Sequence, residues 1–365
     1  MNLNELNFNL PPERIAQRPL ENRDASRLLL LDRVSGAWED RQFREFPDLL
    51  RGDELIVINN ARVLPARLFG RRAGIHAEPP GTHSPTRHEH LQTTIEVLLV
   101  RQVEADTWET LVRPGRKIPV GERIIFGEGE GELEALVERR GDYGLRVLRF
   151  NSKSGFHEAL DRLGHIPLPP YIKRADEPLD RERYQTVYAK QGSAVAAPTA
   201  GLHFTPEILQ RMRARGIEIA EVTLDVGLGT FEPVRTERLE DHKIHAERCS
   251  IPQATVAAIE RAQLERRPIL AIGTTVVRTL EDAAEKAAQQ GATLQPRSAE
   301  ANIFLYPGKP IRIVKQLLTN FHLPQSTLLA LVATLAGREN ILRAYEHAVQ
   351  SEYRFYSYGD CMLIR

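Results

Sequence analysis

The chain has 365 residues, which is long enough for a large hydrophobic core and for two domains. Its 49 Lys and Arg residues equal its 49 Asp and Glu residues, so contact with nucleic acid would have to come from local patches and not from a general positive field. It has no apolar run of membrane-spanning length, no signal-peptide pattern and only Cys249 and Cys361, which together predict a cytoplasmic protein with reduced thiols and no membrane partner.

The N-terminal part of the chain predicts two strands followed by a small antiparallel barrel. The strands are expected at DASRLLLLDR and GDELIVINNARV, where apolar runs meet polar residues. From Arg67 to about Phe150 the pattern changes to short alternating segments separated by Gly, Pro and Asp, which is typical of a barrel. The segments are TTIEVLLVRQV, TWETLVRP, GERIIFGEG, GELEALVERR and YGLRVLRF.

Beyond Asn151, helical periodicity alternates with apolar strands, which predicts a layered α/β/α domain. Helices are expected at GFHEALDRLG, TPEILQRMRARG, QATVAAIERAQLERR, VVRTLEDAAEKAAQQ and STLLALVATLAGRENILRAYEHAVQ, and strands at IEIAEVTLDV, PILAIG, ANIFLY and IVKQLLTNF. The fold class is therefore α/β with an inserted antiparallel β-barrel. The predicted boundaries are 1–66 and 151–365 for the α/β domain and 67–150 for the barrel domain.

The segment LLTNFHLPQSTL, from Leu317 to Leu328, places polar side chains between apolar flanks that are expected to be buried. Polar groups inside a core need hydrogen-bond partners, so such a segment indicates a site. Four other segments show the same pattern of polar side chains between apolar residues: APTAGLHFTPE, TLDVGLGTFEPV, EDHKIHAERCSIP and AIGTTVVRTLE.

AIGTTVVRTLE predicts a strand, a Gly turn and a helix whose first turn presents Thr274 and Thr275. Free N–H groups and hydroxyls at that position suit an anion or carboxylate, although a plain helix cap would use the same residues. Arg278 and Glu281 follow on one helix face, where a surface ion pair is the alternative interpretation. GLGTF, at Gly227, lets the backbone approach a ligand but lacks the dinucleotide-binding pattern.

Two histidine-rich segments suggest a metal, and neither has the spacing of a closed site. EDHKIHAERCSIP alternates like a strand from Lys243, which puts His245 and Glu247 on one face and His242 on the other. The insertion between Gly74 and Thr94 has the composition of an exposed loop. Its histidines are His76, His83, His88 and His90. We therefore predict no metal.

Aromatic and basic residues supply further candidates. The tail YRFYSYGD, from Tyr353, surrounds Arg354 with aromatic rings that would suit a sulfonium cation or a stacked base, although core packing is the commoner role. Basic clusters could track phosphates, or they could be solvated strand ends. The clusters are Arg14, Arg18, Arg23 and Arg27; Arg62, Arg67, Arg71 and Arg72; and Arg113, Arg116 and Lys117.

Together these motifs resemble the S-adenosylmethionine:tRNA ribosyltransferase-isomerase family, which makes epoxyqueuosine in tRNA. The resemblance begins at LPPERIAQRPLENRDASRLLLLDR and continues through INNARVLPARLFGRR, HIPLPPYIKR and RYQTVYA to the C-terminus. It implies transfer and isomerisation of the ribosyl part of S-adenosylmethionine onto 7-aminomethyl-7-deazaguanine in tRNA, with release of adenine and methionine. S-adenosylmethionine would be consumed as a substrate, with no cofactor, and the protein would work as a monomer.

The implied reaction needs a base near the 5′ carbon and donors that assist departure of adenine, whereas the substrate's own amine is the nucleophile. His322 is the leading acid–base candidate. The others are His203, His245, Asp360 and Asp225, where the family commonly has histidine. The substrate-binding candidates are Thr199, Gly227, Gly229, Thr230, Thr274, Thr275, Arg278, Glu281, Asn320, Ser326, Thr327, Arg354 and Tyr358, with Arg278 or Arg354 expected to hold the methionine carboxylate. The RNA-binding candidates are Arg62, Arg67, Arg71, Arg72, Arg113 and Arg116.

Two other classes of protein stay open at this point. A tRNA methyltransferase would use the same donor but leave its ribose intact and yield S-adenosylhomocysteine. A non-catalytic tRNA-binding paralogue would bind RNA without consuming the donor.

Overall fold

The computed structural model describes residues 1–75, 83, 91–127, 132–227, 236–242 and 244–365. The chain divides into two compact units. The α/β unit comprises Met1–Arg62, Pro169–Ala175 and Glu182–Arg365, and the barrel unit comprises Val63–Leu168 and Asp176–Arg181. The domain boundaries expected after residues 66 and 150 stay a prediction.

Strands and helices alternate through the described ranges. The strands are β1 (Arg27–Leu31), β2 (Trp38–Gln42), β3 (Leu55–Asn59), β4 (Ala61–Val63), β5 (Arg67–Arg72), β6 (Ile95–Glu104), β7 (Thr107–Arg113), β8 (Arg123–Phe126), β9 (Leu133–Arg140), β10 (Leu145–Asn151), β11 (Gln191–Ala194), β12 (Glu218–Leu224), β13 (Glu247–Ile251), β14 (Ile269–Ile272), β15 (Arg297–Ala301), β16 (Gln316–Asn320) and β17 (Cys361–Ile364). The helices are α1 (Phe46–Leu49), α2 (Phe156–Leu163), α3 (Asp180–Arg183), α4 (Pro206–Ala214), α5 (Gln253–Leu264), α6 (Thr274–Gln289), α7 (Thr327–Ala336) and α8 (Arg338–Gln350).

The α/β unit contains a nine-stranded mixed sheet in the order β15-β13-β12-β3-β14-β16-β17-β1-β2. The neighbours from β12 to β16 run parallel, so their carboxyl ends meet at one edge. Strand β17 lies between β16, to which it is antiparallel, and β1, to which it is parallel. In the latter pair Leu28 is opposite Cys361, so the two ends of the chain meet inside the sheet.

Both faces of the sheet are covered, which explains why its central strands have uninterrupted apolar runs. Leu55 and Val57 of β3 belong to one buried cluster, together with residues of α5, α6 and α7. Ile56 and Ile58 point to the opposite face and join a second cluster with residues of α4. Alternate residues of one strand thus serve two cores, as strand geometry requires.

The barrel unit contains a closed antiparallel barrel in the order β10-β7-β6-β5-β8-β9. Strand β9 shows the alternation that predicted it, because Leu133, Ala135 and Val137 are buried and the residues between them are not. Full closure removes unpaired sheet edges. The predicted fold class, α/β with an inserted antiparallel barrel, is confirmed.

Three predicted elements differ from the structure. The long C-terminal helix is two helices, because Gly337 between α7 and α8 has a positive φ of 83°. The strand expected at ANIFLY ends at Ala301 and begins earlier, at Arg297. The strand expected from Lys243 begins at Glu247, and Lys243 itself lies outside the described residues. No helix in the described ranges combines the length and apolar character needed to span a membrane.

Candidate functional site

A cavity of about 450 Å³ lies at the edge of the sheet where the parallel strands end. Strand β14 leads into it through Gly273, and β16 leads into it through the segment 319–326. This is the edge where open α/β sheets bind ligands, and the volume lies in the range of small-molecule sites. The predicted site residues that line the cavity are Thr199, Thr274, Thr275, Asn320, His322 and Ser326.

The lining is uncharged apart from what His322 could carry. Among the described residues no Asp, Glu, Lys or Arg side chain lines this cavity. One part of the wall is aromatic: the rings of Tyr171 and Tyr356 lie 4.1 Å apart, and Phe321 lies nearby in the lining. Such a wall suits a flat base or a sulfonium cation, which an aromatic face attracts without a counter-ion.

The N-terminus of α6 forms another part of the wall. Gly273 has a positive φ of 92° and makes no side-chain cap, so the first N–H groups of the helix have no side-chain acceptor there. Thr274 and Thr275 are buried in the first turn. Asn59, at the end of β3, donates to Thr275 Oγ1 over 3.4 Å and fixes this turn against the sheet. Helix N-termini with uncapped N–H groups can bind anions, and the anion site expected here stays a prediction.

His322 is buried in the segment after β16. Its Nε2 lies 2.8 Å from Thr319 Oγ1, and its backbone N–H donates to the hydroxyl of Tyr345 over 3.1 Å. Burial lowers the pKa of His322 to about 3, because the charged imidazolium would lose its hydration. The imidazole is therefore neutral at pH 7.

His203 lies behind the cavity wall and contacts it through Asn320. Asn320 Nδ2 donates to His203 Nε2 over 3.3 Å, so the other nitrogen, Nδ1, carries the ring hydrogen. Nδ1 lies 2.7 Å from Ser26 Oγ, which donates onward to the carbonyl of Arg23 over 3.4 Å. Burial, together with the charge of Arg23, lowers the pKa of His203 to about 4. His203 is a neutral, fully bonded imidazole.

Two polar side chains of the cavity lining have an atom without a hydrogen-bond partner in the described ranges. Asn320 is 2 % exposed, and its Oδ1 has no hydrogen-bond partner among the described residues. The hydroxyl of Tyr356 is also buried and unpartnered in the described part of the chain. Tyr356 has a positive φ of 72° and Gln325, also in the lining, has one of 56°, a backbone conformation that non-glycine residues adopt at a cost. Unmet hydrogen bonds and backbone strain thus coincide at this cavity.

Arg278 is buried away from the cavity in an ion pair with Glu247. Glu247 Oε1 also accepts the backbone N–H of Gly227 over 2.8 Å, and Arg278 Nη2 donates to the carbonyl of His245 over 3.4 Å. The pair therefore ties α6 to β13 and to the loop after β12. These contacts do not support the prediction that Arg278 binds the methionine carboxylate, because its guanidinium is already paired with the carboxylate of Glu247.

Glu281 and Asp360 bond backbone groups instead of lining the cavity. Glu281 accepts the N–H groups of residues 312–314 at 2.7 to 2.9 Å. Asp360 accepts those of Arg27 and Arg354, each over 2.8 Å. Burial raises the pKa of both carboxyls. Both order loops, and Arg354 itself donates to the carbonyl of Arg18.

The other predicted residues take separate positions. Ser326 caps α7 by accepting the N–H of Leu329 over 3.2 Å. Asp225 is half-buried after β12, and His245 is exposed. Thr327 and Tyr358 are buried outside the cavity lining, and Gly229 and Thr230 lie outside the described residues, as do His76, His88 and His90. In the described ranges no group of three or more His, Cys, Asp or Glu side chains is arranged to hold a metal ion.

The predicted RNA-binding arginines differ in exposure. Arg71, Arg113 and Arg116 are exposed, as is Arg62 on β4. Arg67 is partly neutralised by Glu96, whose Oε1 lies 3.2 Å from its Nε. Arg72 is half-buried. The exposed arginines of the barrel are accessible to phosphates, as the prediction of a tRNA-binding surface requires.

The N-terminal arginines are held by internal partners. Arg14 pairs with Glu352 over 2.6 Å. Arg23 donates to three backbone carbonyls, and Arg27 lies 3.7 Å above the ring of Tyr353. Their clustering in the sequence therefore has a structural explanation.

Sequence reasoning missed part of the wall. Tyr171 lies in HIPLPPYIKR, a motif that served only as part of the family resemblance. Its hydroxyl is 2.6 Å from Ser357 Oγ. Thr319, which orients His322, was noticed only as one polar residue among several. The available signal was the density of proline and aromatic residues in an otherwise unassigned loop.

Comparison with known proteins gives consistent results. A family model described as "Queuosine biosynthesis protein" matches residues 3–364. The chain is 51% identical to the S-adenosylmethionine:tRNA ribosyltransferase-isomerase of Solibacter usitatus and 48% identical to that of Moorella thermoacetica, with 100% of both chains covered in each comparison. Among solved structures it resembles the S-adenosylmethionine tRNA ribosyltransferase of Thermotoga maritima, with a TM-score of 0.52 and 34% identity over 99% of this chain and 100% of that one.

Proposed function

Because the chain belongs to the S-adenosylmethionine:tRNA ribosyltransferase-isomerase family, we propose that it carries out this reaction and that the cavity at the sheet edge holds the donor. The ribosyl part of S-adenosylmethionine is transferred to the aminomethyl group of 7-aminomethyl-7-deazaguanine in tRNA and isomerised to an epoxycyclopentane. Adenine and methionine leave. S-adenosylmethionine is a substrate here, and the reaction uses no cofactor.

The observation that carries the placement is the uncharged, partly aromatic lining around His322. A sulfonium is a cation whose solvation shell is easily replaced by aromatic faces, so it needs no buried carboxylate. The N-terminus of α6, with Thr274 and Thr275, offers N–H groups and hydroxyls to the methionine carboxylate. These groups take the role that was predicted for the guanidinium of Arg278, which forms an ion pair with Glu247.

His322 is the acid–base group of this proposal. In this proposal the Thr319 hydroxyl donates to the carbonyl of Asn320, 3.3 Å away, and Thr319 Oγ1 accepts from His322 Nε2, 2.8 Å away. The lone pair on Nδ1 is then the basic one. It takes a proton from the 5′ carbon, which the adjacent sulfonium makes acidic, while the substrate amine attacks the ribose.

The tRNA binds through exposed arginines of the barrel, Arg71 and Arg113 among them. Arg62 and Arg116 are exposed and contribute in the same way. The cytoplasmic location and the monomeric state are part of the same proposal. The alternative function, that of a methyltransferase, is not favoured by the relatives named above.

The decisive experiment incubates the purified protein with S-adenosylmethionine and tRNA that carries the deazaguanine, and separates the small products. We expect free adenine and methionine, and only when the modified tRNA is present. S-adenosylhomocysteine without adenine would identify a methyltransferase instead. Binding of tRNA with the donor left intact would identify a non-catalytic paralogue.

A further inference from the structure

The unpartnered groups of the cavity wall indicate how the donor's base is recognised, an inference that rests on the proposed function. Asn320 Oδ1 can only accept a hydrogen bond, whereas the Tyr356 hydroxyl can donate one. Leaving such groups unbonded inside a protein costs stability, so a ligand that supplies both partners gains affinity. An amino group beside a ring nitrogen, as on adenine, supplies one donor and one acceptor on a single edge.

The orientation of the Asn320 amide is fixed by its neighbours. Nδ2 donates to the carbonyl of Tyr356 over 2.9 Å and to His203 Nε2 over 3.3 Å. The carbonyl of Tyr356 can only accept, which by itself sets the orientation of the amide, and His203 Nε2 then accepts the second amide hydrogen. A rotated amide would point its oxygen at the carbonyl oxygen of Tyr356, so Oδ1 is the atom of this cavity-lining residue that is left without a partner among the described residues.

We propose that Asn320 and Tyr356 read the adenine edge of S-adenosylmethionine: Asn320 Oδ1 accepts from the 6-amino group, and the Tyr356 hydroxyl donates to N7, a ring nitrogen that remains an acceptor when a 6-oxo group replaces the 6-amino group. The two residues belong to the neutral, aromatic part of the wall, where a flat uncharged base fits. The charged methionine end is left to the N-terminus of α6. His203 acts as a positioning residue, because it bonds the amide of Asn320 and not the donor.

The test compares binding of S-adenosylmethionine with binding of its deaminated counterpart, in which a 6-oxo group replaces the 6-amino group. An oxo group would face Asn320 Oδ1, acceptor against acceptor. We expect the wild-type protein, without tRNA, to bind S-adenosylmethionine about tenfold to a hundredfold more tightly than the 6-oxo counterpart. This is the factor expected when a buried polar group loses its partner. Equal affinities would overturn the proposal.

Three variants assign the effect to residues. Asn320→Leu keeps a side chain of similar size and should bring the affinities for the two ligands to within about threefold of each other. Tyr356→Phe should lower the affinity for each ligand by about tenfold. Tyr188→Phe is the matched control: Tyr188 is equally buried and its hydroxyl is also unpartnered in the described ranges, but it does not line this cavity. It should change neither affinity.

The outcomes separate this inference from the proposed function. If Asn320→Leu does not fold, Tyr356→Phe still decides, because an affinity equal to that of Tyr188→Phe contradicts recognition of the base edge by Tyr356. Discrimination that survives Asn320→Leu also contradicts the inference. Adenine release from modified tRNA reactions tests the function independently, so a protein that releases adenine but accepts both donors equally would refute this inference alone.

Discussion

The cavity at the sheet edge and the outer face of the barrel handle charge in opposite ways. No Asp, Glu, Lys or Arg lines the cavity among the described residues, and Arg278, which is buried away from it, is paired with Glu247. On the barrel, arginines such as Arg71 and Arg113 are exposed. A small cationic ligand is best held by neutral polar and aromatic groups, because a buried charge costs free energy to desolvate. Phosphates are instead contacted at the surface, where a cation keeps its hydration until it binds.

The sharpest way to break this comparison is to remove His322, the histidine of the cavity lining. We expect His322→Ala to lower kcat at least about a hundredfold, because a general acid–base group contributes roughly that factor or more. Binding of S-adenosylmethionine should change little, since the neutral wall remains. The control is His157→Ala, which removes an exposed histidine of α2. Turnover near the wild-type rate with saturating donor would make His322 structural.

The loss of folding stability at low pH is a second way to test how strongly the cavity region disfavours buried charge. The folded-state pKa is about 3 for His322 and about 4 for His203, whereas the unfolded value is about 6.5. Below pH 6.5 the unfolded chain binds more protons, so stability is full above that pH and is lost as the pH falls. We expect the free energy of unfolding to drop by about 2 kcal/mol per histidine between pH 7 and pH 5.

Denaturant unfolding at several pH values measures this slope. His203→Phe should flatten it by about half, whatever its stability at pH 7, because one of the two buried imidazoles is gone. The exposed His157→Phe should keep the wild-type slope. If His203→Phe also kept the full slope, the acid sensitivity would have to come from other groups.

The smallest expected effect lies on the barrel. Arg71→Ala with Arg72→Ala should weaken tRNA binding and reduce its salt slope by about one for each phosphate that the variant no longer neutralises, while donor binding stays unchanged. The matched control is Arg101→Ala with Arg149→Ala, where each arginine is exposed but paired with a glutamate. A wild-type salt slope together with weaker donor binding would reverse the assignment of the two regions.

Local patterns in the sequence predicted most of the fold. Strand β3 is a run of five buried residues, and β9 alternates cleanly, so each pattern indicated how the strand is surrounded. The break at Gly337 was less visible, because apolar periodicity continues on both sides of it. The late start of β13 was missed because alternation in EDHKIHAERCSIP begins before any neighbouring strand is available for pairing.

The sequence drew attention to part of the cavity lining and not to its contacts. The pattern of polar residues between buried flanks singled out Asn320 and His322, which both line the cavity, and their roles stay predictions. The partner of Arg278 could not be predicted, since Glu247 approaches it only when β13 packs on α6. The same holds for Tyr171 and Tyr356, whose rings meet from distant parts of the chain. Sequence spacing gives no information about such long-range contacts.

The place of β17 inside the sheet has a consequence for biosynthesis. During translation β1 emerges early, but its neighbour β17 is made last, since Leu28 pairs with Cys361. Until then β1 and β16 each present an unpaired edge, and exposed edges invite association with other chains. A nascent chain should therefore depend on chaperones until β17 has emerged from the ribosome. A frameshift near residue 355 should yield insoluble product even though every residue of the cavity segment 319–326 has been made.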